Sequence, residues 1–182
     1  MKNYFTPLWC ITLFLALNLL SSVTVQAADR YAVANGNWDA ASTWSATSGG
    51  TGGASIPVAG DDVYFGETTT AWTVTIPNGY AAACSNLFIG SNNIVAQTLT
   101  LSTATGSLAV SGNVILYGPI NTTGNVSRTL NVNAGTLSIG GNLELGNGQN
   151  GISGNRRCIV NITTGSITVN GNIIFDNVIG SA

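Results

Sequence analysis

The stretch Gly135-Thr136-Leu137-Ser138-Ile139-Gly140-Gly141-Asn142-Leu143-Glu144-Leu145 has two close relatives in the same chain. One is Gly106-Ser107-Leu108-Ala109-Val110-Ser111-Gly112-Asn113-Val114-Ile115-Leu116, and the other is Gly165-Ser166-Ile167-Thr168-Val169-Asn170-Gly171-Asn172-Ile173-Ile174-Phe175. The copies start at positions 106, 135 and 165, a near-constant interval. A fixed period in the range of about 20–50 residues marks a stacked architecture, in which each unit buries its apolar face only against its neighbours.

Within each copy, apolar residues alternate with others at period two. Leu108 and Val110 share one side of the chain and Ala109 and Ser111 the other, the pattern of a strand with one buried face. Gly112-Asn113 interrupts the strand; both residue types tolerate positive φ, so the dipeptide reads as a bend. Upstream, Leu130-Asn131-Val132 matches Val160-Asn161-Ile162 at the same spacing. One period then holds three short strands and three turns. The expected fold is all-β: a right-handed parallel β-helix, or solenoid, of about 30 residues per rung, each rung about 4.8 Å above the last. In that stack Leu108, Leu137 and Ile167 form one inward ladder, and Val110, Ile139 and Val169 the next. Asn113, Asn142 and Asn172 superpose at one turn, either as a structural ladder of hydrogen-bonded amides or as independent turn formers.

Working outward, the chain opens with Lys2 and an apolar run over 11–20, followed by Val25-Gln26-Ala27. That is the pattern of an export signal peptide at 1–27, too short in its apolar part to span a membrane. The remainder, 28 to 182, suffices for one domain and carries four Arg, no Lys and seven carboxylates, a formal charge of −3. Nothing in this balance resembles a nucleic-acid footprint. Residues 28–66 do not follow the repeat; Trp38 and Trp44 suit an N-terminal cap over the first rung, the alternative being an exposed aromatic platform for sugars. Rungs are expected over 67–182, with Trp72–Ile76, Asn86–Gly90 and Thr98–Leu101 together making a degenerate first one. After Gly165 the sequence runs only to Ala182, partway through a rung, which suggests a stack continuing beyond this chain or an edge open to end-to-end self-association.

Asn35-Gly36-Asn37-Trp38, Thr43-Trp44, Pro57, Gly60-Asp61-Asp62-Val63 and Cys84-Ser85-Asn86-Leu87-Phe88-Ile89 together resemble the opening of large secreted bacterial surface proteins of the adhesin or autotransporter-passenger kind. The resemblance implies a right-handed β-helix on the outside of a bacterial cell. It carries over no catalytic residue, because the pattern is structural.

The chemistry available is narrow. The chain has no His, which excludes Ser-His-Asp and Cys-His catalysis and His-based zinc sites. Only Asp61 and Asp62 are adjacent acids, and they read as turn or end-capping residues before a calcium site. Cys84 and Cys158 stand about two and a half rungs apart, which favours two free, buried thiols over a disulfide. No catalytic residue, metal site or cofactor is expected. Arg128, Arg156 and Arg157 are the candidate bases; Arg156 and Arg157 are read into a loop over 146–157 that could contact an acidic ligand. Thr73-Val74-Thr75 and Thr98-Leu99-Thr100 raise an ice-binding face, but the pairs do not recur at the repeat period, so the array is expected to be broken. The reading is an exported, non-catalytic structural or adhesive module with surface glycans or other cell-surface proteins as partners. The alternative is a polysaccharide-binding or polysaccharide-degrading β-helix whose site lies elsewhere.

Overall fold

The computed structural model describes residues 27–66, 70–90, 97–101, 105–118, 126–147 and 156–176. The proposed leader, except Ala27, lies outside them.

The chain winds as a β-solenoid of about four turns. An incomplete turn comes first, with β1 (Asp29–Ala32) and β2 (Gly36–Asn37), then a short 3-10 helix (Ala41–Thr43) and β3 (Trp44–Ser45). Four full turns follow. They are β4 (Asp62–Phe65), β5 (Thr73–Ile76) and β6 (Ala81–Cys84); then β7 (Leu87–Ile89), β8 (Gln97–Leu101) and β9 (Ser107–Val110). Next come β10 (Val114–Tyr117), β11 (Val126–Val132) and β12 (Thr136–Ile139), and finally β13 (Leu143–Asn147), β14 (Arg156–Ile162) and β15 (Ser166–Val169), before β16 (Ile173–Phe175) opens a fifth. The strands stack into three sheets, in the orders β16-β13-β10-β7-β4-β1-β3, β14-β11-β8-β5-β2 and β15-β12-β9-β6. Every pairing is parallel except β1 with β3.

Register sets the length of each turn. Val63, Leu87, Val114, Leu143 and Ile173 are successive partners in the seven-stranded sheet. The residues just before them, Asp62, Asn86, Asn113, Asn142 and Asn172, are hydrogen-bonded in sequence across 24, 27, 29 and 30 positions, so the turns lengthen along the stack. Only the last two turns have the period visible in the sequence. This corrects the expectation of one degenerate first rung: β5 and β8 are register partners, Val74 against Leu99, and therefore belong to consecutive turns. The strand that closes the earlier turn is Ala81-Ala82-Ala83-Cys84. It has no β-branched or aromatic residue and so gives no strand signal of its own; it is held by its ladder to β9.

The core is the lumen of the coil. Phe65, Ile89 and Leu116 are buried one above another, as are Val74, Leu99 and Leu130 in the second sheet and Ala82, Leu108 and Leu137 in the third. Each buried Leu or Ile contributes on the order of 1.5–3 kcal/mol relative to exposure. Segment 28–66 lies at one end of this core. Trp38 and Trp44 are fully buried, edge to face with centroids 5.0 Å apart; Trp44 also meets Phe65 edge-on at 5.9 Å and donates from Nε1 to the Trp38 carbonyl at 2.7 Å. Neither ring offers a face to a sugar. Within the same segment β1 and β2 join the stack as its incomplete turn, and β4 begins the first full one.

Candidate functional site

The most regular polar feature is the corner between the third sheet and the next strand of the first. Asn172 N–H donates to Oδ1 of Asn142 (2.9 Å), Asn142 N–H to Oδ1 of Asn113 (2.8 Å) and Asn113 N–H to Oδ1 of Asn86 (2.8 Å). Asn86 donates from its N–H (3.1 Å) and its Nδ2 (2.9 Å) to Oδ1 of Asp62. A single line of side chains thus joins five successive turns. The bonds run from backbone N–H to side-chain oxygen, so an Asn within the line donates to one neighbouring turn through its backbone and accepts from the other through its side chain. Asp62 and Asn86 carry no visible echo of the repeat. Their signal is positional: each, like Asn113, Asn142 and Asn172, immediately precedes the first inward residue of a strand in the seven-stranded sheet.

The glycine before Asn113, Asn142 and Asn172 has a different role from the one its type suggests. Gly112, Gly141 and Gly171 are not among the glycines with positive φ. A Cβ on Gly112 would instead collide with Oδ1 of Asn86, on Gly141 with Oδ1 of Asn113, and on Gly171 with Oδ1 of Asn142. The missing side chain is the channel through which the amide oxygen of one turn reaches the next.

A second polar line runs along the outside of the five-stranded sheet. Asn161 Nδ2 donates to Asn131 Oδ1 (2.9 Å), and Asn131 Nδ2 to Thr100 Oγ1 (3.2 Å). The same face corrects part of the expectation about threonines: the two pairs stack, but the array is broken further along, where Thr100 faces Asn131 and Thr129 faces Ile159. Thr73 is in register with Thr98 and Thr129, and Thr75 with Thr100. The pairs stack because the turn between β5 and β8 is shorter than the period of the later repeats. The four-stranded sheet adds outward Thr136 and Ser138 beside Ser166 and Thr168, all exposed. Within these pairs, hydroxyls recur about every 4.8 Å from turn to turn and roughly every 6.6 Å along a strand.

The outer face of the seven-stranded sheet carries Tyr31, Tyr64 and Phe88, stacked at 5.0 and 4.7 Å with planes within 17° and 16°, and Tyr117 beyond them at 6.4 Å. Ring faces spent on one another are not available for stacking on a ligand, so this column stiffens the sheet.

Arg156 and Arg157 are not loop residues. They open β14, opposite Val126 and Ser127 of β11, and Arg157 is exposed. Extending this strand to seven residues matches the seven of β11, and the shared ladder overrides the polar sequence that suggested a loop. Arg128, unlike Arg157, points inward. It is fully buried, in register with buried Gln97 and with Cys158. Burial pulls its guanidinium down to about 10, against a smaller opposing effect of Cys158, and it remains charged at neutral pH. Gly90, at φ 81°, lies against this guanidinium; a Cβ there would collide with Nε. Both thiols are free. Burial pushes Cys84 far up, and Asp62 and Asp61 add to it. Cys158, half-buried, is also raised by burial, with the backbone at Gly146 and Arg128 opposing.

Beyond Leu145, an apolar groove of about 600 Å³ opens at the last described turn, lined by Leu143, Cys158, Val160, Ile167 and Phe175 among others. Among the described residues, no three His, Cys, Asp or Glu side chains gather into a metal-binding group, and no helix is long and apolar enough to cross a membrane.

These features define a β-solenoid whose polar side chains join turn to turn. In comparisons with known proteins, no family model matches the chain, and neither a curated protein nor a solved structure matches it significantly.

Proposed function

We propose that this chain is an exported, non-catalytic β-solenoid that serves as a structural or adhesive module at the cell surface. The observation that carries this reading is the line Asp62, Asn86, Asn113, Asn142, Asn172. Polar groups that an enzyme would aim at a substrate are here aimed at the neighbouring turn, as suits a stiff spacer or display rod exposed to proteases. The adhesive part of the proposal draws on the outward rows of Thr, Ser and Asn, which present donors and acceptors at fixed spacing to glycan hydroxyls or to another surface protein. The resemblance to adhesin and autotransporter-passenger openings supports the same assignment.

The test is binding of the exported protein to an array of neutral and acidic glycans, with Thr136→Val and Thr168→Val as face variants. Retained glycans that are lost with these variants support adhesion. Release of sugar products would instead favour the polysaccharide-degrading alternative, and Arg157 would be the first residue to substitute.

A second reading has a specific observation in its favour. The stacked pairs Thr73/Thr98 and Thr75/Thr100 place four threonines together on one face, a small patch of the kind that could order water as ice does. Thermal hysteresis or inhibition of ice recrystallisation, abolished by Thr98→Tyr, would support it, and growth of unaltered ice would end it.

A further inference from the structure

We infer that Asp61 is the receptor for a new chain terminus: cleavage between Ala27 and Ala28 frees an α-ammonium that pairs with the buried Asp61 carboxylate and locks the first strand onto the stack. The inference rests on the export-leader reading of 1–27.

Asp61 is buried to 1% exposure, yet no strand holds it. Its Oδ1 accepts the backbone N–H of Ala28 at 3.0 Å, and its Oδ2 accepts that of Val58 at 3.1 Å. The Val58 bond is local; with the Asp61 N–H to Val58 carbonyl bond (2.9 Å) it closes the turn after Pro57. The Ala28 bond is long-range in sequence and reaches the residue just after the expected cut. The Ala28 carbonyl in turn accepts from Asp62 N–H at 3.1 Å, so both backbone groups of Ala28 are fixed by the Asp61-Asp62 pair. Ala27 is exposed, and the sequence Val25-Gln26-Ala27 places small or tolerated residues where a signal peptidase reads them. Hydrolysis of the 27–28 peptide bond adds water across it: Ala27 keeps a carboxylate and Ala28 gains an amine, protonated at neutral pH. The nitrogen already within hydrogen-bond distance of Asp61 thereby becomes a cation, and a bond from a neutral donor to the carboxylate becomes an ion pair.

The charged groups around this nitrogen are mostly acidic. Asp61 is in contact; Asp29 and Asp62, adjacent in register, line the same small crevice with Gly60 and Ser85. Arg30 is the opposing charge, with Nε 3.8 Å from Asp61 Oδ2, but it also donates to the carbonyls of Ser55 and Asp29. The carboxylates outweigh it, so the amine's folded pKa should lie above its ordinary value of about 7.7–8.0. The stabilisation is then fully present below that ordinary value and is lost as pH rises through the raised one.

The experiment is intact-mass and N-terminal analysis of the exported protein, followed by measurement of its α-amine titration and its acylation rate at neutral pH. The expected first residue is Ala28, titrating clearly above the ordinary range. Acylation should be at least tenfold slower than in denaturant, with the protection lost in Asp61→Asn. A first residue near Ala28 but not Ala28 itself would overturn the processing site and the pair and leave the leader standing, whereas an exported chain that keeps Met1 would overturn the leader reading as well. Ala28 with an ordinary amine would overturn the ion pair alone and leave the leader standing. If Asp61→Asn fails to fold, the native chain acetylated at Ala28 serves in its place: unchanged thermal stability on acetylation would also overturn the pair.

Discussion

The first full turn and the last described turn carry the same inward pattern in different circumstances. Phe65, in the first full turn, is fully buried beneath Trp44; Phe175, four register steps along the same ladder, is 74% exposed. Its neighbour Ile173 is 55% exposed, whereas Val63 at the matching position is buried. Nothing in the strands themselves distinguishes Asp62–Phe65 from Ile173–Phe175; both place apolar side chains toward the lumen. What differs is the layer above. The first full turn lies against two tryptophans and a returning antiparallel strand, and the last described turn borders the apolar groove. An inward residue in a solenoid is therefore only as valuable as the next turn makes it.

That contrast can be broken most sharply by truncation at matched positions. Leu116→Ala, in the closed middle of the ladder, is expected to cost about 2–5 kcal/mol in urea denaturation. Phe175→Ala should cost well under about 1 kcal/mol, because little area there is removed from water. Equal losses would mean the groove is filled in solution. Gly141→Ala comes next. Its Cβ meets both Asn113 Oδ1 and the Gly112 carbonyl, so a loss of about 1–3 kcal/mol is expected, as for other overpacked sites. A neutral result would show that the corner has room the ladder does not use. Asn113→Ala should cost about 1 kcal/mol, the net worth of a typical internal hydrogen bond, and Asn172→Ala, at the last described step, less. The reverse order would place the stabilisation in turn formation instead of the ladder.

The mildest probe compares the thiols. Cys158, half-buried at the groove, should react with a small disulfide reagent well before Cys84, which is buried in the first full turn. Both folded thiols resist ionisation more than unfolded ones. Their contribution to stability is therefore complete below the ordinary value of about 8.5 and declines as pH rises from there toward the folded values. Stability that stays flat from neutral pH well into the alkaline range would contradict the burial of Cys84.

The legible part of the candidate site was the part that repeated. Asn113, Asn142 and Asn172 stood out because the turns between them are of nearly equal length. Asp62 and Asn86 belong to the same line but sit at shorter intervals, and a carboxylate stands in for an amide at the first step. The stacking of Thr73/Thr98 and Thr75/Thr100 was not legible for the same reason, since it spans one of the shorter turns. Arg156 and Arg157 were misplaced because a polar, glycine-rich flank suggested a loop, while the seven-residue partner strand β11 pairs with them from the start.

By itself the sequence determined that the chain is a β-solenoid and which faces of its repeating strands point inward, because alternation at period two and recurrence at a fixed spacing are local properties of the chain. Only the tertiary structure decided the register. A turn may lengthen or shorten at its corners without altering any strand, so which residues stand above one another depends on how the backbone ladders close. With register came everything that joins one turn to the next: the glycine channels at Gly112, Gly141 and Gly171, the stacked rings of Tyr31, Tyr64 and Phe88, the strand made of alanines at Ala81–Cys84, and the buried carboxylate of Asp61 reaching back to Ala28.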